Sequence, residues 1–259
     1  MNQYWNLLKE SYNMEKAYKL LAMQEGISNK KAKDLIDRGL VYYLDKKIKI
    51  ARAQMPNDIY FRVEELDKVK IIYQDENIVA INKPALLDTY ELAEAIEEDE
   101  TELIHRLDRD TSGVLLLARN SDFLEDAIEA FKQRKVKKRY VAWVEGVFCE
   151  EIKIDAPIAT HKQGGKAFSE INEERGRPAV TIVKPLEIQG KKSKVEIEIM
   201  TGRTHQIRVH LSSIGHPIVG DERYGSVTRS KRILLHAKAI SLLGYAFEAK
   251  EPKDIQKYK

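Results

Sequence analysis

The N-terminal part of the chain changes from helical to strand-like spacing of its apolar side chains. Apolar residues recur at helical spacing between Met14 and Ala22, and Gly26 follows where a left-handed cap would end a helix. Ser28 offers an N-cap hydroxyl to a second helix, which Gly39 ends. Two strand-like runs come next, at residues 40–43 and 46–50. The pattern predicts a helical hairpin followed by short strands.

Downstream, short apolar and alternating runs predict strands separated by a few helices. The predicted strands are at residues 69–73, 77–84, 114–118 and 195–199. An acidic run from Tyr90 to Glu102 is predicted to be a helix with a solvated face. Two further helices are predicted from their apolar stripes, one capped by Ser121 with Leu124, Ala127, Ile128 and Phe131, and one ended by Gly215 with Ile207, Leu211 and Ile214.

Composition narrows the class of protein. The chain has 259 residues and a single cysteine, Cys149, which excludes a disulfide framework and a cysteine-built zinc site. No run approaches the roughly 20 uncharged apolar residues of a membrane span. Charged side chains also interrupt the stretch from Met1 to Glu25, where a signal peptide would lie. We therefore expect a soluble, cytoplasmic protein, and we expect it to be a monomer.

The net charge of +3 hides an uneven distribution along the chain. Residues 1–64 carry +4 and residues 105–259 carry +8, whereas residues 65–104 carry −9. Basic bodies attract polyanions because binding releases condensed counterions. Charge alone leaves two interpretations open, a protein that binds RNA or DNA and a protein that is merely soluble.

A dense group of charged residues precedes the most apolar predicted strand. Residues 105–113 read His-Arg-Leu-Asp-Arg-Asp-Thr-Ser-Gly and lead directly into the run at 114–118. Asp108 and Asp110 lie among Arg106 and Arg109, whose charges favour ionised carboxylates that can act as a nucleophile or a base. A structural group of ion pairs at a strand entrance explains the same pattern, and a hydrolase with paired carboxylates is a further alternative.

The motif at residues 105–113 resembles the catalytic signature of the RluA-type pseudouridine synthases. Other blocks of that family follow the same order in this chain: Asn82–Pro84, Lys138–Gly146, Thr201–Leu211, Gly215–Asp221 and Leu235–Ala237. The resemblance covers about residues 70–250. It implies an α+β catalytic domain over residues 67–259, with a mixed, largely antiparallel sheet and flanking helices.

The same resemblance implies roles for four side chains. Asp108 would be the catalytic aspartate, and Arg106 would help to displace the target base from its helix. Tyr140 would stack on the uracil, and Arg203 would pair with the Asp108 carboxylate. No metal, nucleotide or redox cofactor is implied. Zinc binding is the alternative for the histidines, and no cysteine or carboxylate spacing supports it at His205, His210, His216 or His236.

Residues 14–64 resemble a second family, the α-L RNA-binding domain named after a small-subunit ribosomal protein. The order Gly-Ile-Ser, then Lys-Ala-Lys-x-Leu-Ile-x-x-Gly-x-Val, carries this resemblance. It implies that residues 1–66 form a small α/β domain that docks on structured RNA through basic side chains of its second helix, namely Lys30, Lys31, Lys33 and Arg38. A basic run before Tyr140 supplies further candidates for phosphate contacts, Lys135, Lys137 and Lys138.

Together these features predict an enzyme that converts specific uridines of structured RNA to pseudouridine. Large-subunit ribosomal RNA is the first candidate substrate and tRNA is the second. The alternative is a non-catalytic RNA-binding or ribosome-assembly factor that retains the fold. Two departures from the families are visible: Leu44-Asp45 replaces an Asn-Gly type turn, and the segment between Pro84 and His105 is short, which affects how RNA is held on that side.

Overall fold

The chain forms two compact units, Met1–Asp67 and Lys68–Lys259. The structure, a computed structural model, describes residues 14–64, 69–95, 101–163 and 166–258. The N-terminal unit contains strands β1 (Met14–Lys16), β2 (Val41–Tyr43), β3 (Lys46–Lys47), β4 (Gln54–Pro56) and β5 (Arg62–Val63), with helices α1 (Ala17–Glu25) and α2 (Asn29–Asp37).

The predicted caps of the helical hairpin are confirmed. Gly26 ends α1 with a left-handed φ of 64°. The Ser28 hydroxyl accepts a hydrogen bond from the Lys31 N–H at the start of α2. The apolar faces of both helices enclose a small core with Phe61, which is 1% exposed. Local capping and amphipathic spacing thus determine this part of the fold.

Two predicted boundaries in the N-terminal unit are wrong. Residues Met14–Lys16 pair antiparallel with Gln54–Pro56 and so extend as a strand instead of starting the helix. In the alternating run at 46–50, the strand covers only Lys46–Lys47, and Ile48 adds one backbone hydrogen bond to Val41 of β2. Leu44 and Asp45 both take left-handed φ values, 46° and 59°, as a type I′ hairpin turn requires. The chain therefore makes a tight hairpin here without the usual Asn-Gly.

The C-terminal unit is built on one large sheet. Its elements are β6 (Lys70–Gln74), β7 (Ile78–Lys83), α3 (Thr89–Ala95), β8 (Glu102–Leu103), β9 (Ser112–Ala118), α4 (Ser121–Lys132), β10 (Lys137–Glu145), β11 (Ile152–Asp155), β12 (Ile158–Gln163), β13 (Lys166–Ile171), β14 (Val180–Gln189), β15 (Lys192–Ile199), α5 (Gln206–Ser213), β16 (Leu235–Leu242), β17 (Tyr245–Glu248) and α6 (Lys253–Gln256), with a 3₁₀ turn at Glu222–Tyr224. A separate hairpin pairs β12 with β13.

The sheet is mixed and largely antiparallel, as predicted. Its strand order is β11-β14-β15-β10-β16-β9-β7-β6, with β17 beside β16 and β8 beside β9. One pairing is parallel, that of β16 with β9, and it joins the two halves of the sheet. Every residue of β9 is buried, as its continuous apolar run predicts.

Gly113 makes this parallel junction possible. It has a φ of 120°, and a Cβ atom at this position would lie 2.1 Å from the Ala237 carbonyl oxygen. Beside it, the Ser112 hydroxyl contacts His236 Nδ1 at 2.9 Å in the interior. The glycine of the 105–113 motif therefore permits close approach of two strands. As a result, the end of the motif is fixed against the centre of the sheet.

Three helix predictions need correction. Asn120, not Ser121, caps α4, because the Asn120 side chain accepts the Phe123 N–H at 2.8 Å. Ile128 is 39% exposed, so it lies outside the buried stripe of that helix. The acidic helix covers Thr89–Ala95, whereas Glu102–Leu103 pairs with β9 as a strand. Residues 96–100, part of the same prediction, lie outside the described residues.

Candidate active site

The loop that follows residue 105 opens onto a cavity in the C-terminal unit. The cavity has a volume of about 130 Å³. It is lined by residues from this loop, from β10 and from the segment between β15 and α5, including Arg106, Asp108, Thr111, Tyr140, Arg203, His205 and Arg208. All four side chains to which the sequence assigned catalytic or substrate-binding roles therefore line one cavity.

The Asp108 carboxylate lies on the wall of this cavity and is 23% exposed. Arg208 Nη1 lies 3.6 Å from Asp108 Oδ2, and His205 Nε2 lies 4.0 Å from the same oxygen. The Asp108 carbonyl accepts the Thr111 N–H at 3.0 Å and so turns the chain toward β9. The carboxylate thus faces a cation and an imidazole while remaining accessible from the cavity.

The predicted ion pair between Arg203 and Asp108 is not formed. Arg203 Nε donates to the Pro178 carbonyl at 3.2 Å, and the side chain is partly exposed at the rim of the cavity. Burial lowers the pKa of Arg203, and the charges of Arg177 and Arg134 add to this effect. Arg203 therefore places its side chain at the rim, away from Asp108. The cation beside Asp108 comes instead from Arg208, five positions further along the same block.

Arg208 is held in place by a buried bidentate ion pair. Its Nε donates to Asp221 Oδ2 at 2.7 Å and its Nη2 donates to Asp221 Oδ1 at 2.9 Å. The guanidinium also lies over the Tyr224 ring, 4.8 Å from its centroid. Burial by itself lowers the pKa of Arg208, but the hydrogen bonds and charge of Asp221 raise it above the usual value. Arg208 is thus a fixed cation whose free edge faces Asp108.

Sequence reasoning missed Arg208, because the observations that identify it are burial and pairing in the tertiary structure. The residues of α5 from Gln206 to Leu211 are all buried, and Arg208 is one of them. An arginine is rarely buried unless its charge is paired. Asp221 is 1% exposed and likewise requires a partner. A buried arginine and a buried aspartate in neighbouring blocks of the same unit indicate an internal ion pair.

Tyr140 faces the cavity from β10. The register of β10 against β16 shifts between Arg139 and Tyr140, and such an irregularity re-aims a side chain. Burial, with a smaller contribution from the Asp108 charge, raises the pKa of the Tyr140 hydroxyl. The phenol therefore stays neutral near pH 7. A neutral aromatic ring beside a carboxylate can hold a planar base.

Two buried side chains hold the backbone of the loop that carries Asp108. Thr89 Oγ1 donates to the Leu107 carbonyl at 2.8 Å and accepts the Leu107 N–H at 3.2 Å. The Lys83 ammonium donates to the Arg109 carbonyl at 3.2 Å, and burial lowers its pKa to about 8. These contacts fix residues on both sides of Asp108. The short segment after Pro84 therefore still supports the loop.

The other charged groups of the motif diverge from Asp108. Asp110 pairs with Arg109 at 3.5 Å and is absent from the cavity lining, so two carboxylates do not converge on one substrate. This arrangement does not fit the paired-carboxylate hydrolase. Arg106 is exposed, and its guanidinium lies 5.7 Å from the centroid of the Tyr90 ring.

The histidines considered as zinc ligands make separate hydrogen bonds. His210 contacts Thr181 Oγ1 at 2.8 Å, and His216 Nδ1 contacts the Glu145 carbonyl at 2.8 Å. Within residues 14–64, 69–95, 101–163 and 166–258, no group of three or more His, Cys, Asp or Glu could hold a metal ion. Over the same part of the chain, no helix is long and apolar enough to cross a membrane.

The basic side chains predicted to bind RNA differ in their exposure and in their contacts within the chain. Lys30, Lys31, Lys135 and Lys137 are exposed. Lys33 lies over the Tyr18 ring at 4.3 Å, and Arg38 pairs with Asp34 at 2.7 Å. Lys138 donates to the Thr201 carbonyl at 3.2 Å, and burial lowers its pKa to about 8. Lys138 thus buttresses the segment that carries Arg203.

Known proteins are similar to this chain in sequence and in fold. A family described as RNA pseudouridylate synthase matches residues 77–213. A protein named uncharacterized RNA pseudouridine synthase from Helicobacter pylori (strain ATCC 700392 / 26695) is 50% identical over 245 residues, 94% of this chain and 100% of that protein. The ribosomal large subunit pseudouridine synthase D of Nitrosomonas europaea is 32% identical, over 76% of this chain and 64% of that protein.

Solved structures agree with the sequence matches. Human RNA pseudouridylate synthase domain containing 1 superimposes with a TM-score of 0.64 at 30% identity, over 72% of this chain and 84% of that one. Human RNA pseudouridylate synthase domain containing 4 gives a TM-score of 0.60 at 27% identity, over 72% of this chain and 90% of that one. From the family match, the full-length relative and these folds, we conclude that the chain belongs to the RNA pseudouridylate synthase family.

Proposed function

We propose that this chain isomerises specific uridines of large-subunit ribosomal RNA to pseudouridine, with Asp108 as the catalytic residue. The supporting observation is the position of the Asp108 carboxylate, which is 23% exposed on the cavity and lies 3.6 Å from the Arg208 guanidinium. The carboxylate is therefore both open to a substrate and held next to a fixed cation. An ionised carboxylate can attack the sugar or the base, or abstract a sugar proton.

The reaction needs little beyond this site. The C1′–N1 bond of uridine breaks, the uracil turns, and a C1′–C5 bond forms. The proton on C5 leaves, and N1 takes up a proton, so the product is an isomer of the substrate. No electrons are gained or lost, and no group is transferred to a second molecule. The reaction therefore calls for a fixed carboxylate and a surface that holds the detached base while it turns.

Tyr140 and Arg106 suit the handling of the base. A uracil in a helix must leave its stack, at a cost of a few kcal/mol, before its sugar can reach a carboxylate. Arg106 is exposed at the mouth of the cavity, where it can enter the space that the base leaves. The Tyr140 ring offers a stacking face inside the cavity. Arg203 at the rim suits a phosphate of the same strand.

The choice of RNA rests on the relatives and on the N-terminal unit. Relatives in Nitrosomonas europaea and Buchnera aphidicola are named ribosomal large subunit pseudouridine synthases. The exposed lysines Lys30 and Lys31 at the start of α2 suit an RNA-binding module that adds affinity for structured RNA. tRNA is the second candidate. We further propose that the chain acts as a monomer in the cytoplasm.

The experiment is a release assay on RNA labelled with tritium at C5 of uridine. The wild-type chain and Asp108→Asn are incubated with large-subunit ribosomal RNA transcribed without modification. We expect label release by the wild type and none by Asp108→Asn. Asp110→Asn is the matched control, since Asp110 does not line the cavity, and it should retain most of the activity. RNA binding by both variants should remain near that of the wild type.

Release by neither protein, with RNA binding retained, would favour the non-catalytic RNA-binding factor. Release from tRNA but not from ribosomal RNA would move the substrate to the second candidate. Sequencing of pseudouridine positions in cells with and without the protein then identifies the uridine.

A further inference from the structure

His205 stands out at the start of α5 because its backbone is left-handed. Its φ is 55° and its ψ is 20°, a conformation that non-glycine residues rarely adopt. Such residues persist where the surrounding structure holds them, and they cluster at functional sites. This conformation directs the ring of His205 into the cavity, between Asp108 and Tyr224.

A chain of hydrogen bonds determines which ring nitrogen of His205 carries the proton. The Ser169 N–H donates to the Tyr224 hydroxyl oxygen at 2.9 Å. The same oxygen lies 2.8 Å from His205 Nδ1. Among the described residues, the Tyr224 hydroxyl hydrogen has no acceptor other than this nitrogen. Tyr224 therefore donates to Nδ1, and the proton of the neutral ring lies on Nε2.

The Nε2–H of this tautomer faces the catalytic carboxylate, since Nε2 lies 4.0 Å from Asp108 Oδ2. Burial lowers the pKa of His205, and the charge of Asp108 opposes this effect. Other charges act on the ring from Arg208 and Arg223, which disfavour protonation, and from Asp221, which favours it. A neutral imidazole with its N–H toward Asp108 is the result.

We propose that Tyr224 and His205 form a positioning pair for Asp108, in which Tyr224 fixes the Nε2–H tautomer and His205 presents this N–H to the carboxylate. Arg208 Nη1 lies 3.6 Å from the same oxygen, Oδ2, so a guanidinium and an imidazole N–H both face it. The ring of Tyr224 also packs against the Arg208 guanidinium at 4.8 Å. One tyrosine thus supports both partners of the carboxylate.

The part of this inference that concerns rate rests on the proposed function, whereas the tautomer can be measured without it. The chain has six histidines, and ¹⁵N-labelled histidine with imidazole NMR at neutral pH distinguishes a protonated from an unprotonated ring nitrogen. The His205 signals are assigned by their absence from His205→Gln. We expect Nε2–H in the wild type and a mixture of tautomers in Tyr224→Phe. An Nδ1–H tautomer in the wild type, or an unchanged tautomer in Tyr224→Phe, overturns the proposal.

Kinetics test the effect on Asp108. Tyr224→Phe keeps the ring and removes only the hydroxyl, so we expect kcat to fall about threefold to tenfold with KM unchanged. His205→Leu should lose about 10- to 100-fold in kcat, because the carboxylate is no longer held. His205→Gln retains an N–H donor and should recover part of that loss. Leucine takes a positive φ at Leu44, Leu86 and Leu243 in this chain, which is the precedent for leucine at position 205.

The controls separate this inference from the function itself. Circular dichroism and urea unfolding establish whether each variant is folded. If His205→Leu does not fold, the kcat of Tyr224→Phe tests the positioning role instead. An unchanged kcat in His205→Leu, or a His205→Gln variant as slow as His205→Leu, overturns the positioning role. A wild-type chain that releases no label refutes the proposed function, while the NMR result still decides the tautomer.

Discussion

Arg208 Nη1 lies 3.6 Å from the Asp108 carboxylate, while Nε and Nη2 of the same guanidinium are bound to Asp221. The two aspartates therefore share one cation, which is hydrogen-bonded to Asp221 and faces Asp108. The planar guanidinium makes this possible, since it presents donors in fixed directions. Replacement of Arg208 should affect both contacts, and replacement of Arg203 should affect neither.

Arg208→Lys is expected to lower kcat by about 100-fold or more. An ammonium cannot bridge both carboxylates as a planar guanidinium does. The loss of one preorganised donor in an active site typically lowers kcat by about 100-fold or more. Arg203→Lys is the matched control, since Arg203 lies at the rim and donates to Pro178. It should change KM for RNA more than kcat. Label-release kinetics check both. Equal loss of kcat in the two variants would contradict the assignment of Arg208.

Two substitutions at Tyr140 distinguish stacking of its ring on the uracil from a role for its hydroxyl. Burial raises the pKa of this hydroxyl, so it stays protonated at neutral pH and is a poor base. Tyr140→Phe should therefore retain kcat within about threefold, the scale of one hydrogen bond. Tyr140→Ala should lose about 1–3 kcal/mol of stabilisation of the flipped base. Similar damage from both substitutions, measured by single-turnover label release, would refute stacking as the main role.

Substitution of two lysines in α2 tests whether the N-terminal unit binds RNA. The double variant Lys30→Gln/Lys31→Gln should weaken binding to the large-subunit transcript and reduce the slope of log affinity against log salt by about 1 per lysine. Lys191→Gln is the matched control. Lys191 is also exposed, but it lies next to Lys192, at the end of the β10–β15 ladder away from Tyr140. Filter binding at several salt concentrations measures the slopes. The same slope in all three proteins would exclude phosphate contacts by α2.

The buried imidazole of His236 should make the free energy of unfolding depend on pH. It is 0% exposed, and burial lowers its pKa to about 4. In the unfolded chain its pKa is near the usual value of about 6.5, so the unfolded state binds more protons between pH 6.5 and pH 4. The free energy of unfolding should therefore fall as the pH drops below about 6.5, by about 2 kcal/mol from this residue at pH 5.

Urea unfolding at pH 7 and at pH 5 measures this effect. His236→Asn should show a smaller loss between the two pH values, because asparagine does not titrate and can still accept from Ser112. Other buried histidines contribute to both proteins alike and so cancel in the comparison. The prediction fails if both proteins lose the same free energy.

Much of the fold follows from local sequence. The caps at Gly26 and Ser28 fix the helical hairpin, and the unbroken apolar run of β9 identifies a strand buried on both faces. Local sequence fails where a long-range partner decides the outcome. Met14–Lys16 has helical spacing but forms a strand because β4 offers its backbone hydrogen bonds. Ser121 is a good cap, but Asn120 lies one residue earlier and takes that role.

The sequence by itself determined the family and named Asp108, Tyr140 and their motifs, because these depend on which residues follow one another. Only the tertiary structure decided that Arg208, and not Arg203, faces Asp108. The two arginines are five positions apart, and their directions depend on how α5 docks against the sheet. Arg203 precedes the helix and turns to the rim, while Arg208 lies within the helix and is buried against Asp221. Side-chain direction follows from packing between distant segments, and sequence order does not record that packing.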